Sequence, residues 1–346
     1  MFNKSKNNKD KKFKKDYKNN LKQKSFYKNI SLNKENNFSI LGKIIRFFLI
    51  IILKITTPKN SWKNKNKTKE LIDRAYKKYV SEDLVFIPLS LAFYFLISFV
   101  PIITILIVLL SLIPNYDSYF INIILSRIIP GINDVINLSN SFKNTTLQTI
   151  SIILLLLTSL WIASGGFAKW VYSQNYIYKH EQLGNLITNR FKGFIIVIGI
   201  SLYLFISICL YIWFFKLFNL KENTTQFDTV FYCSFTIYLF LILYCGITLL
   251  YKLTPNFKNP LNMIFPGALT ASIPIAIFII IFGYLSSWIN YSKYGIISTF
   301  MYIGLFVSFL SYCLLLGTIV NEAYYKTYHS SFTIKKNYWF TWNKKY

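Results

Sequence analysis

The sequence predicts an all-α polytopic membrane protein, with six transmembrane helices that are kinked or interrupted and with amphipathic helices at the interface. Hydrophobic residues make up 53% of the chain, charged residues only 15%, and the mean hydropathy is +0.38. Soluble proteins, by comparison, are about 25% charged. Residues 84–113 contain no Asp, Glu, Lys, Arg or His, and further apolar runs of similar character recur along the chain.

The six predicted spans are each close to the length that a bilayer core about 30 Å thick requires, which is about 20 helical residues. The first contains Pro88 and Pro101. Each proline removes a helical hydrogen bond, so this span is expected to be kinked or interrupted. The spans cover about residues 84–113, 147–165, 194–215, 230–251, 267–289 and 295–320.

The spans form a membrane domain over residues 84–325, and the flanking segments differ from it in composition. Residues 1–39 are crowded with Lys and Asn and are predicted to be a disordered, basic cytoplasmic tail. Residues 40–57 read as an amphipathic interfacial helix, and residues 58–83 as a basic linker with a short helix. Residues 326–346 are predicted to be a basic cytoplasmic C-terminal tail.

The apolar run within residues 40–57 is interrupted by Lys43, Arg46 and Lys54, so only short apolar stretches remain. We therefore expect this helix to lie in the headgroup region, with these three cations in contact with anionic lipid. A seventh span is the alternative.

The charges between the spans predict the orientation. The net charge of +26 is concentrated before Asp83, and short cytoplasmic loops carry the excess of Lys and Arg. Both termini are therefore expected in the cytoplasm, with the protein in a bacterial inner membrane. Residues 114–146 are expected to form amphipathic helices outside the membrane, broken at Pro130 and Gly131.

The predicted spans contain no Asp, Glu, Lys, Arg or His. Ion-coupled carriers generally place such groups inside the bilayer, so coupling through an embedded carboxylate is not expected. The two histidines, His180 and His329, are far apart, and the sequence shows no metal-ligand spacing, nucleotide loop or nucleophile elbow. We therefore expect no enzyme activity, metal, cofactor or nucleic-acid partner.

Two clusters early in the membrane domain stand out from the hydropathy pattern. In residues 91–102, Tyr94, Ser98 and Pro101 lie in mid-span, and Ser98 is expected to cover a backbone group that the proline frees. In residues 159–178, small residues predict close helix approach, and Trp161 and Trp170 are expected near the interface. The candidate residues of this second cluster are Trp161, Ser164, Gly165 and Asn175.

Two further clusters lie at span ends. Pro255 closes the fourth span, and Pro266 and Gly267 open the fifth, where proline costs little in a first helical turn. The last span begins at Tyr294 and Gly295, and it ends near Gly317, Asn321 and Glu322. We expect close helix contact at Gly317 and a solvated carboxylate at Glu322.

Taken in order, these clusters resemble the YihY/BrkB family of bacterial inner-membrane proteins, once labelled ribonuclease BN, over about residues 70–325. The resemblance implies a six-helix integral membrane protein of a kind described as a transporter or virulence-associated factor. One departure is that the family's Gly-Ala-Glu-Leu-Asn motif is replaced by residues 317–321, which moves the acid to Glu322. The matching residues are Leu91, Ala92, Phe93, Tyr94, Ser98, Pro101, Trp161, Ser164, Asn175, Tyr178, Pro255, Pro266, Gly267, Ala268, Tyr294, Gly295, Gly317 and Asn321.

The hypothesis that follows is a transporter or flippase-like facilitator for a lipid-like or amphipathic solute, without direct nucleotide hydrolysis. The spans combine many aromatic residues with scattered Ser, Thr and Asn, which together suit an apolar chain and a polar head. The candidate path residues are those of the four clusters. One alternative is that the aromatic residues only fill the bundle and face lipid. Another is a non-transporting scaffold whose basic tail recruits anionic lipid or a partner.

Overall fold

The computed structural model describes residues 40–81, 83–125, 147–217, 225–286 and 295–336. Most of them lie in long helices. In chain order these are α1 (Ile40–Thr56), α2 (Lys65–Tyr79), α3 (Asp83–Leu110), α4 (Leu147–Ile177), α5 (Leu186–Lys216), α6 (Thr225–Leu253), α7 (Phe265–Ser286) and α8 (Gly295–Tyr328). Short helical turns lie at Lys59–Trp62, Tyr116–Tyr119, Phe120–Leu125 and Leu261–Met263.

The predicted all-α polytopic membrane class is confirmed. Five helices are long and apolar enough to cross a membrane by length and composition. Within the described residues, β pairing is limited to an isolated antiparallel bridge between Phe257 and Lys335. The five helices are Phe86–Leu110, Leu186–Lys216, Thr229–Leu253, Phe265–Phe282 and Thr299–Tyr328.

The second predicted span, residues 147–165, lies within α4, which is not among those five helices. α4 continues for 31 residues through Gly165 and Gly166 without a break. The helix is therefore present where the sequence predicts a span, and the total of six spans stays a prediction.

α1 crosses the boundary between two compact units of the chain, Met1–Ile51 and Ile52–Tyr346. It is 17 residues long, shorter than the roughly 20 residues that a span needs. At about 100° of rotation per residue, Lys43, Arg46 and Lys54 fall within about a quarter of the helix circumference. This one-sided placement favours an interfacial helix over a seventh span, and both remain predictions.

Several predictions concern residues outside the described part of the structure. These are the basic tail 1–39, the outer segment 126–146 with its Pro130–Gly131 break, Tyr294, and the C-terminal residues 337–346.

α3 contains both Pro88 and Pro101 and remains helical through each. The Ser311 hydroxyl of α8 donates a buried hydrogen bond of 2.6 Å to the Pro88 carbonyl. The bonded carbonyl is that of Pro88 itself and not that of Leu84, whose helical bond the proline removes, so this bond joins α8 to α3 without replacing the lost one.

Within the unit 52–346, α4 packs against α3 and α5, whereas α8 packs against α2, α3 and α7. The end of the bundle where α2 meets the last turns of α4 and α8 is called the α2 end below. The opposite end holds the turn Tyr116–Tyr119 and the end of α5, where Lys216 Nζ lies 4.5 Å from the Tyr116 ring centroid.

Candidate functional site

An open cavity of about 770 Å³ lies at the α2 end, and we call it the basic cavity. Six basic and three acidic side chains line it, so its formal charge is positive by three. Such a lining favours an anion. The lining residues are Asn66, Lys69, Glu70, Asp73, Arg74, Lys77, Lys78, Ser81, Lys179, Glu322 and Lys326.

Glu322 is the buried acid of the basic cavity. It is 1% exposed, so the prediction of a solvated carboxylate is wrong. Its Oε1 lies 3.1 Å from Lys78 Nζ of α2 and 3.2 Å from Lys326 Nζ, one turn further along α8. Lys78 also donates to the carbonyl of Ile177, at the end of α4. The reason for the error is tertiary: α2 covers this end of α8 and supplies the charge that a buried carboxylate requires.

The charges around Glu322 do not balance. The pKa of Lys78 is lowered to about 8, mainly by burial. Glu322 raises this pKa, and the nearby charges of Lys326 and Lys179 lower it. Glu322 Oε2 has no hydrogen-bond partner among the residues that the structure describes. Two ammonium groups therefore share one oxygen of this carboxylate, and a third, that of Lys179, lines the same cavity.

A smaller cavity of about 140 Å³, called the apolar niche below, shares Lys78, Ser81 and Lys179 with the basic cavity. Its other lining residues are mainly apolar. Ile87 lies in the first turn of the α3 span, and Ile319 lies about one turn before Glu322 on α8. The lining thus changes from mainly charged in the basic cavity to mainly apolar beside the start of the α3 span. The remaining residues of the niche are Tyr176 and Ile177.

Asn175 and Pro255, both predicted site residues, lie in a buried polar cluster at the same end. Asn175 Oδ1 accepts a hydrogen bond of 2.9 Å from the backbone N–H of Asn256. The neighbouring Gln174 accepts one of 2.7 Å from the Thr254 hydroxyl. These bonds fix the chain on both sides of Pro255 and satisfy polar groups that burial would otherwise penalise.

Ser98 joins α3 to α4. Its Oγ lies 2.8 Å from the carbonyl of Tyr94 and 3.2 Å from the carbonyl of Ala163. Pro101 frees the carbonyl four residues before it, that of Ile97. Neither acceptor of the Ser98 hydroxyl is the Ile97 carbonyl, so the prediction that Ser98 covers the group freed by Pro101 is wrong.

Trp161 and Ser164 lie where α4 meets α5. The guanidinium carbon of Arg190 is 4.1 Å from the Trp161 ring centroid, and the Ser164 hydroxyl donates to the Trp161 carbonyl at 2.7 Å. Trp161 is 55% exposed. A half-exposed indole stacked on a guanidinium is typical of the edge of a bundle rather than of a substrate path.

The close approach of α3, α4 and α5 depends on Gly166 and Gly193. A Cβ on Gly166 would overlap Ser98 Oγ, and one on Gly193 would overlap the Ser164 carbonyl. At Gly165, in contrast, the nearest atom to such a Cβ lies at 3.9 Å. Sequence reasoning chose Gly165 and missed Gly193, because the sequence does not show which helix face meets a neighbour.

The start of α7 packs against α8. Asn321 Oδ1 accepts a buried hydrogen bond of 2.7 Å from the N–H of Gly267, one of the N–H groups that a helix start leaves without a helical partner. A Cβ on Gly317 would overlap the Gly267 carbonyl. Pro266, Gly267, Gly317 and Asn321 therefore form the close helix contact expected at this position.

The predicted residues that the structure describes are thus distributed over four separate contacts: α3 with α4, α4 with α5, α7 with α8, and the polar cluster around Pro255. Gly295 begins α8. None of them lines the basic cavity or the apolar niche. Sequence reasoning missed Lys78, Lys179 and Lys326, which are far apart in the chain. The only local signal was the spacing of Glu322 and Lys326, four residues apart on one helix.

The family described as Virulence factor BrkB matches residues 75–339 of the chain. No curated protein and no solved structure matches this chain. The matched range contains Lys78, Lys179, Glu322 and Lys326, four of the residues that line the basic cavity.

Proposed function

Because this chain belongs to the BrkB family of membrane proteins, as its sequence resemblance predicts, we propose that it is a transporter or flippase-like facilitator for a lipid-like or amphipathic solute. The proposed activity requires no nucleotide hydrolysis and no catalysed reaction by this chain. Its proposed partners are membrane lipids and the solute itself, and its proposed location is a bacterial inner membrane.

The observation that carries the proposal is the pairing of the basic cavity with the apolar niche. A charged head group loses hydration when it leaves water and needs opposite charges to compensate. An apolar chain gains free energy wherever it leaves water. The two cavities offer both environments, and they share Lys78, Ser81 and Lys179 at their boundary.

The proposed orientation places the α2 end in the cytoplasm. Short cytoplasmic segments of membrane proteins carry an excess of Lys and Arg. The basic residues at the α2 end include Lys78, Lys179, Arg190, Lys192, Lys252, Lys258, Lys326, Lys335 and Lys336. At the opposite end, the described segments include Lys216 and Asp117.

The proposal is tested with the full chain reconstituted into liposomes that contain a fluorescent phospholipid in both leaflets. Dithionite destroys the dye in the outer leaflet, so a facilitator makes the inner-leaflet dye accessible as well. We expect faster loss of inner-leaflet fluorescence than in protein-free vesicles. Ile87→Trp, which fills the niche, is expected to slow this loss about fivefold, equivalent to about 1 kcal/mol.

The matched control is Ile277→Trp, the same substitution at a half-exposed position of α7, which is expected to leave the rate unchanged. If wild-type protein accelerates no lipid class tested, the transport proposal fails and the scaffold hypothesis gains. In that case, removal of residues 1–39 should abolish recruitment of anionic lipid or of a partner.

A further inference from the structure

Three lysines from distant parts of the chain converge in the basic cavity. Lys78 lies in the last turn of α2, Lys179 follows α4 with a left-handed backbone (φ 52°), and Lys326 lies near the end of α8. Lys78 and Lys326 share Glu322 Oε1 at 3.1 and 3.2 Å. With six basic and three acidic side chains in its lining, the basic cavity has an excess of three positive charges.

The chemistry of this excess favours a phosphate group. A phosphate ester carries one or two negative charges and presents several acceptor oxygens, which matches separate ammonium donors approaching from different segments. The unpartnered Oε2 of Glu322 leaves an acceptor for a hydroxyl or ammonium donor on the same head group. The volume of about 770 Å³ lies within the range of about 300–1,000 Å³ typical of small-molecule sites.

The position of the apolar niche restricts the molecule that carries the phosphate. The niche continues from Lys78, Ser81 and Lys179 to Ile87 and Ile319, which lie on membrane-spanning helices. A soluble phosphate ion has no apolar surface to bury against these side chains. An acyl chain attached to a phosphate head would bury apolar surface there, and this would stabilise binding by about 25 cal/mol per Å² buried.

From this geometry we infer that the basic cavity binds the phosphate of a phosphate-headed amphiphile, with Lys78, Lys179 and Lys326 as its ligands and the chain toward the apolar niche. The inference rests on the proposed function and names its substrate class. It assigns head-group selection to residues that α2, α4 and α8 bring together.

The test measures the thermal unfolding midpoint of the full-length protein in detergent against increasing ligand, since a ligand that binds the folded state raises this midpoint. The three probes are inorganic phosphate, dihexanoylglycerol and dihexanoyl phosphatidic acid, which supply the head, the chains and both. We expect dihexanoyl phosphatidic acid to bind at least about tenfold more tightly than either of the others.

Lys179→Gln is expected to weaken the binding of dihexanoyl phosphatidic acid about five- to tenfold, because one charge-assisted contact is lost. Lys179 is exposed, so the fold should tolerate the change; the midpoint without ligand checks this. The matched control is Lys258→Gln, which removes the same charge from an exposed lysine in the loop after α6, and it should bind as the wild type does.

Equal binding of inorganic phosphate and dihexanoyl phosphatidic acid would overturn the amphiphile assignment in favour of a soluble phosphate. Equal binding of dihexanoylglycerol, or equal losses in both lysine variants, would overturn the phosphate assignment. If the expected ranking holds but the liposome assay shows no lipid movement, this inference stands and the transport proposal fails. If lipids move irrespective of head group and of Lys179, transport stands and this inference fails.

Discussion

At the scale of single residues, a carboxylate at the end of a membrane helix becomes a buried ion-pair partner once another segment covers it. Glu322 forms ion pairs with the ammonium groups of Lys78 and Lys326 through a single oxygen, Oε1. Lys78 reaches it from α2, although burial disfavours the charged form of this lysine. The resulting cluster is costly to disturb, because removing one partner leaves buried charges without compensation.

Glu322→Gln is therefore expected to lower the free energy of unfolding by about 3 kcal/mol, since Lys78 and Lys326 lose their shared acid. The measurement is unfolding by sodium dodecyl sulfate in mixed micelles. Glu70→Gln is the control, because Glu70 pairs with Arg74 at 2.9 Å on the exposed surface of α2 and should cost no more than about 1 kcal/mol. Equal costs for the two variants would contradict the buried pairing of Glu322.

The Lys78 amine is expected to lose its proton near pH 8 in the folded protein, because burial lowers its pKa from 10.5 to about 8. Between these two values the unfolded chain binds more protons, so Lys78 makes the folded state more stable as the pH rises through this window. Below about pH 8 the lysine is protonated in both states and the burial penalty is present in full.

Brief acetylation at a series of pH values, read by mass spectrometry, measures this pKa. We expect a midpoint for Lys78 near 8 in the folded protein and near 10.4 after denaturation. Removing the Glu322 charge should move the folded midpoint lower still, because that carboxylate raises the pKa. The same midpoint in folded and denatured protein would show that Lys78 is not desolvated.

At the scale of helices, glycine positions determine how closely α3, α4 and α5 pack. In a membrane, apolar surfaces gain little by associating with each other rather than with lipid, so helix pairing depends on close van der Waals contact. Gly193 of α5 lies directly against the Ser164 carbonyl of α4, and Gly166 of α4 lies against Ser98 of α3. These contacts hold α4 in the position that brings Lys179 toward α2 and α8.

Gly193→Ala is expected to lower the free energy of unfolding by about 1–3 kcal/mol, because the added methyl overlaps a backbone carbonyl that cannot move freely. Gly199→Ala is a close control on the same helix, since no atom lies within 4 Å of a Cβ there. That variant should be neutral or stabilising by about 0.5–1 kcal/mol, as alanine favours a helix interior. The measurement is again unfolding in mixed micelles, and similar effects at both positions would rule out tight packing at Gly193.

At the scale of the whole molecule, the charged and the mainly apolar cavities both lie at the α2 end. The alternating directions of α3 to α8 bring the loops after α4, α6 and α8 together at that end. Asn256 bonds to Asn175 there, and Phe257 forms a bridge with Lys335. A solute bound at this end would therefore meet the protein from a single side of the membrane.

Membrane-impermeant maleimide tests which side this is, in a background without the native cysteines. We expect Ser118→Cys, in the turn at the opposite end, to be labelled in intact cells. Ser331→Cys, just after α8, should be labelled only after the cells are permeabilised. The reverse pattern would show that the α2 end is periplasmic, and equal labelling of both variants in detergent is the control.

The sequence by itself determined the membrane class and the positions of the long helices, because hydropathy over some twenty residues is a local property. It also correctly predicted the close helix contact at Gly317 and the family to which the chain belongs. Only the tertiary structure decided which residues form a site. Lys78, Lys179 and Glu322 lie about a hundred or more positions apart, and nothing local marks them as neighbours. The burial of Glu322 and the tight contact at Gly193 depend on which helix covers which face, and that is settled by packing between distant segments.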